Sequence, residues 1–122
     1  MQLLLGIGGG EDGLLALEET IDRVAATGDA LTIALLDHSG TDHSPEELLA
    51  LVDTTLEEHD GDVAVTVLDG APGPALVAFA ETGDFDRLLI GGGRRSPMGK
   101  IALGEITEFV ILNASISVTL VR

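Results

Sequence analysis

Two glycine-rich stretches in this 122-residue chain hold the residue types from which phosphate sites are made. The first, Gly8-Gly9-Gly10-Glu11-Asp12-Gly13, lies between an apolar run and a helical pattern and fits the spacing G-x-G-x-x-G. Asp37 ends the next apolar run, where an acid that binds a ribose would stand. Gly8, Gly10, Gly13 and Asp37 together spell one reading, an NAD-binding Rossmann domain with redox chemistry. Against it, Glu11 and Asp12 stand at the start of the helix, where their charges oppose a pyrophosphate and satisfy the helix dipole themselves. The plainer reading of this stretch is a flexible turn.

The second stretch runs Gly91-Gly92-Gly93-Arg94-Arg95-Ser96-Pro97-Met98-Gly99-Lys100-Ile101-Ala102-Leu103-Gly104 and leads into a helical pattern. It holds three of the chain's six basic residues, Arg94, Arg95 and Lys100. Bases between a glycine turn and a helix N-terminus are candidates for an anion site, because backbone amides and the dipole add to them. They equally serve to relieve the repulsion of neighbouring acids.

The remaining reactive residues form no recognisable constellation. His38 and His43 share an acidic loop with Asp37 and Asp42, and His59 is the third histidine, but their spacing matches no metal motif and no metal is expected. Ser96 and Thr107 have no histidine near them in sequence, so no nucleophilic triad emerges and the expectation is a protein that is not an enzyme. Asn113-Ala114-Ser115 spells a glycosylation acceptor, yet it falls at a helix end in a chain without a secretion pattern.

The elements that must position these loops alternate strand and helix from end to end. Leu3 to Ile7 is a continuous apolar run, the mark of a strand covered on both faces. Leu14, Leu17, Ile21 and Val24 recur at helical spacing, and that helix ends near Gly28. Ala30 to Leu36 is a second buried strand. Ser44, Pro45 and Glu47 open the next helix with a capping box and a proline at its first position, and Leu48, Leu49, Val52 and Leu56 give its apolar face. Asp62 to Leu68 is a third strand, Gly73-Pro74 opens a helix with Leu76, Val77 and Phe79, and Arg87 to Ile90 is a fourth strand. A helix from Gly104 to Ala114 and a strand from Ile116 to Val121 complete the pattern. It predicts one α/β domain over residues 1–122 with a parallel sheet, whose ligands bind where loops leave the carboxyl ends of the strands.

Charge and composition narrow the partners. Twenty-one acids against six bases give a formal charge of -15, an unfavourable field for nucleic acid. Such an excess repels itself in dilute buffer and is screened at molar salt, where the Debye length is ~3 Å, so a salt-adapted, halophilic setting is expected. No cysteine is present, which excludes disulfides and thiolate chemistry and permits a cytoplasmic location. No apolar run approaches the ~18 residues of a membrane span, and no membrane partner is expected.

With these residues in view, the chain resembles the universal stress protein family. The resemblance covers nearly the whole chain and is most specific at Asp86-Arg87-Leu88-Leu89-Ile90-Gly91, Arg95-Ser96-Pro97-Met98-Gly99-Lys100, Leu103-Gly104 and Ser117-Val118-Thr119-Leu120-Val121. It implies a three-layer Rossmann-like (adenine nucleotide alpha hydrolase-like) sandwich with a five-stranded parallel sheet in the order 3-2-1-4-5. ATP-binding members of the family carry G-x2-G-x9-G-[ST]. Gly91 and Gly104 match that pattern, whereas Arg94 replaces its second glycine, Glu105 replaces the Ser or Thr, and Gly8 replaces an Asp that contacts the nucleoside. Arg94 could pair with Glu105 and plug the site, or Arg94, Arg95 and Lys100 could hold a smaller anion.

The resemblance thus implies a non-enzymatic stress-response regulator or interaction module with a degenerate ATP loop, needing no cofactor and acting on protein partners not yet named. The alternative is a sensor in which Gly91, Gly104, Ile106 and Thr107 still hold ATP or AMP. In that strand order the last strand is an open edge, and the family commonly dimerises there, which makes Ile116, Val118 and Leu120 the expected homodimer interface.

Overall fold

A computed structural model of the chain describes residues 1–8, 11–36, 44–57, 59, 63–91, 94–95, 101–102 and 105–121. The apolar run at its start forms β1 (Gln2–Ile7), in which Leu3, Leu4, Leu5 and Ile7 are all buried. A strand buried on both faces needs cover on both, and the chain supplies it in alternation. α1 (Glu11–Thr27) precedes β2 (Ala30–Leu36), and α2 (Pro45–Leu56) precedes β3 (Val63–Leu68). α3 (Pro72–Thr82) leads to β4 (Arg87–Gly91). A short pair, β5 (Arg94–Arg95) and β6 (Ile101–Ala102), comes before α4 (Glu105–Asn113), and β7 (Ser117–Val121) follows.

Five strands form one parallel sheet in the order β3-β2-β1-β4-β7. Since β5 and β6 form their own two-stranded sheet, β7 is the fifth strand of the main sheet, and the order is the 3-2-1-4-5 expected. Side chains alternate across it. Leu3, Leu5, Ile7, Leu31, Ile33 and Leu89 pack with α1 and α2 on one face. Leu4, Leu36, Leu88 and Ile90 pack with Leu76 and Val77 of α3 and Val110 of α4 on the other. The sheet separates two cores, giving three layers.

Local chemistry sets the element boundaries. Gly28, at φ 76°, ends α1 in the left-handed conformation, and its N–H donates to the Val24 carbonyl at 2.8 Å. Ser44 caps α2: the Glu47 N–H donates to Ser44 Oγ at 3.3 Å, and Ser44 Oγ donates to the Glu47 carboxylate at 3.2 Å. α3 starts one residue earlier than the sequence suggests, at Pro72, and its N-cap Ala71 makes no side-chain bond. The helix is placed instead by Gly6. A methyl group on Gly6 would lie 2.5 Å from Leu76 Cδ2, so the missing side chain is what lets Leu76 seat against the sheet.

On the α1 face near the sheet edge, Arg87 Nη1 donates to Thr119 Oγ1 at 2.7 Å and ties β4 to β7 across the register Arg87↔Ser117.

Candidate functional site

The order β3-β2-β1-β4-β7 means that the chain proceeds to one side of β1 through β2 and β3, then returns to its other side through β4. The direction reverses between β1 and β4, and the crevice beyond their carboxyl ends is where such folds place ligands. Gly6 lies opposite Ile90, so the segments leaving β1 at Gly8 and β4 at Gly91 start side by side. The two glycine stretches singled out in the sequence therefore begin at this one crevice. α1 and α4 both direct their N-termini to it, because each is the first helix after a parallel strand.

The local geometry is uneven. Among the described residues nothing comes within 4 Å of a side chain added at Gly8. Gly91 is half-buried, and its carbonyl accepts the Thr107 hydroxyl at 3.1 Å. Thr107 is only 4% exposed, and Ile106 is half-buried against the α3/α4 core. The exposed side chains of the first turn of α4 are Glu105 and Glu108. Two carboxylates at a helix N-terminus answer the dipole that a phosphate would otherwise use.

Between Gly91 and α4 the structure departs from a plain glycine loop. β5 pairs antiparallel with β6, Arg94 opposite Ala102 and Arg95 opposite Ile101. Nothing in the sequence signals strands of two residues, because no period can be read from so short a run. Gly104 and Lys100, like Gly10, Asp37, His38 and His43, lie outside the described residues, while Gly13 falls in α1. Among the described residues no group of three or more His, Cys, Asp or Glu side chains could hold a metal ion.

His59 is elsewhere, beyond the end of α2. With Glu18, Ile21, Asp22, Ala25 and Thr55 it lines a groove of ≈ 240 Å³ between α1 and α2. The expected dimer residues Ile116, Val118 and Leu120 are partly buried against the α3/α4 core, with Ile116 just ahead of β7. β7 has β4 as its neighbour and stands at the end of the sheet.

The model of the universal stress protein family matches this chain over residues 1–122. The chain belongs to the universal stress protein family. Solved structures agree on the fold of this universal stress protein. A universal stress protein from Archaeoglobus fulgidus superimposes with a TM-score of 0.73 at 21% identity, covering 100% of this chain and 98% of its own. A universal stress protein in complex with cAMP gives 0.74 at 21% identity, with 100% and 97% coverage. A family member from Arabidopsis thaliana with AMP bound gives 0.72 at 14% identity, with 99% and 90% coverage. No curated protein matches the chain by sequence. No helix among the described residues is long and apolar enough to cross a membrane.

Proposed function

We propose that this universal stress protein is a non-enzymatic stress-response regulator, a cytoplasmic homodimer that works by binding protein partners and does not depend on ATP. The observation that carries this reading is the first turn of α4. Its hydroxyl, on Thr107, is buried and donated to the Gly91 carbonyl, while the side chains it exposes are Glu105 and Glu108. A triphosphate approaching that helix end would meet negative charge where the family's ATP binders present a hydroxyl. The position of β7 at the end of the sheet supports the dimer, since an edge strand can pair with its own copy about a two-fold axis.

One observation favours a second reading, an AMP or cyclic nucleotide sensor. The similar folds were solved with cAMP and with AMP, ligands that carry less charge than ATP. A ligand with one phosphate seated at the crevice would meet less repulsion at Glu105 than a triphosphate.

Calorimetric titration of magnesium ATP, AMP and cAMP in molar potassium chloride separates the two. No heat with any of them at millimolar concentration supports the ATP-independent regulator. Saturable binding of one ligand per chain overturns it, and an order cAMP or AMP before ATP establishes the sensor. Sedimentation equilibrium in the same buffer tests the dimer: a mass of 12.6 kDa would exclude it, and twice that value would support it.

A further inference from the structure

Thr20 Oγ1 and Arg87 Nε are buried polar atoms with no hydrogen-bond partner among the described residues. Both fall in the layer between α1 and β4. Arg87 stands two residues before Leu89 on β4, so its side chain shares the α1 face of the sheet with Leu89. Thr20 is 1% exposed and lies on the buried side of α1 with Leu17 and Val24. Glu18, Ile21, Asp22 and Ala25 face the groove between α1 and α2, and α2 lies over β2, on the far side of β1 from β4. The helical repeat therefore sets Ala16, Thr20 and Arg23 on the opposite flank of α1, toward β4, against which the helix packs.

Only part of the Arg87 guanidinium is engaged. Its Nη1 donates to Thr119 Oγ1 at 2.7 Å, while Nε and Nη2, whose N–H bonds run side by side, donate to nothing among the described residues. That parallel pair is the fork with which arginine takes an anion. No described carboxylate fills it, in a chain that has twenty-one acids. Asp86, its neighbour in sequence, accepts the Gln2 N–H at 2.7 Å, and Asp29 is held by the Thr27 hydroxyl and the Met1 ammonium. Glu19, one turn before Arg23, makes no ion pair with it. A cationic donor kept from water without an acceptor costs stability, and a counter-charge offsets that cost.

We propose that Arg87, with Thr20 and Arg23 of α1 and Thr119 of β7 around it, binds a small monovalent anion of the size of chloride. The Nε–Nη2 edge grips the anion, the Thr20 hydroxyl donates to it, and Arg23, exposed at the border, draws it in. A dianion such as sulfate is disfavoured, because its dehydration is harder and a formal charge of -15 repels it more strongly. The site faces α1. It leaves free both the backbone edge of β7, where the dimer is proposed, and the crevice beside Gly91, so it stands independently of either reading.

The test is the chloride NMR line width with the full chain in about 0.5 M potassium chloride, where diffuse attraction is screened. The expected result is excess broadening that Arg87→Gln abolishes and that Thr20→Val or Arg23→Gln reduces at least about twofold. Sulfate at equal ionic strength should leave it in place. No excess broadening with the wild type, broadening that survives Arg87→Gln, or displacement by sulfate would overturn the proposal. Loss of broadening in Arg94→Gln/Arg95→Gln together with its retention in Arg87→Gln would assign the chloride to β5 instead. Thr20→Val, close in shape to the wild type, decides the outcome if Arg87→Gln fails to fold: unchanged broadening there also overturns the site.

Discussion

The hydroxyl of Thr107 and the carbonyl of Gly91 hold α4 to the end of β4 by a 3.1 Å hydrogen bond. The carbonyl belongs to the last residue of the strand and the hydroxyl to the third residue of the helix, so the bond fixes where the helix starts after the intervening hairpin. It also removes a neutral donor from the crevice. Replacing Thr107 with Val preserves the shape and deletes the donor, and should cost about 1 to 2 kcal/mol of stability. Thr107→Ser should cost less, because it keeps the hydroxyl. Urea midpoints of the three proteins check this.

Restoring the family's phosphate loop should restore nucleotide affinity. In Arg94→Gly/Glu105→Ser the carboxylate at the N-terminus of α4 is replaced by a hydroxyl, and the helix dipole becomes free for phosphate. We expect ATP to bind the double variant at least about tenfold more tightly than the wild type, worth about 1.4 kcal/mol. Unchanged affinity would favour the sensor reading. Isothermal calorimetry makes the comparison.

Gly6→Ala should destabilise the protein by about 1 to 3 kcal/mol through overpacking, because its new methyl group meets the fully buried Leu76. Leu76→Val would give that methyl some room, so the double variant should lose less than the sum of the single losses. A double-mutant cycle of denaturation midpoints measures the coupling.

Asp29 should titrate below the ordinary carboxylate value of 3.8. Its main cause is Thr27, whose hydroxyl donates to Asp29 Oδ2 at 2.8 Å, with the amino terminus and Arg23 adding attraction. A lowered folded value means that the stabilisation is fully present above pH 3.8 and disappears as pH falls through the lower folded value. Thr27→Ala should move the NMR titration of Asp29 upward, toward the ordinary value.

Stability should rise with potassium chloride. A formal charge of -15 repels itself most when the Debye length is long, about 30 Å at 0.01 M, and least at 1 M, about 3 Å. The thermal midpoint should climb most steeply at low salt and then level off. A midpoint indifferent to salt would show that the acids are placed without mutual strain.

The residues that state a local rule made their elements legible. Leu3 to Ile7, apolar without alternation, became the doubly covered strand at the middle of the sheet. Ser44, Pro45 and Glu47 marked the first turn of α2, and Gly28 the end of α1. Where the rule was silent, the sequence misled by a residue or more. Ala71 has no side chain to cap with, so nothing marked Pro72 as the start of α3. Strand order depends on which distant strands meet, and it came only through family resemblance. Of the candidate site, the sequence showed two glycine stretches, and the register of β1 with β4 starts them side by side. The Thr107 bond was not legible, since a Thr in an apolar helix gives no sign of the carbonyl it will face. The exposed side of α4 was hidden for a related reason: Ile106, Phe109, Val110, Ile111 and Leu112 surround the helix, and a nearly uniform pattern does not say which side is buried.

The position of β1 also bears on how the protein is made. A ribosome releases this strand before β2, which pairs with it from residue 30 onward, and long before β4, whose partners begin at Arg87. Until both have emerged, Leu3, Leu4, Leu5 and Ile7 lack the neighbours that later remove them from water. Until β4 follows, the nascent polypeptide thus exposes a sticky segment, a natural landing place for chaperones that bind extended apolar stretches.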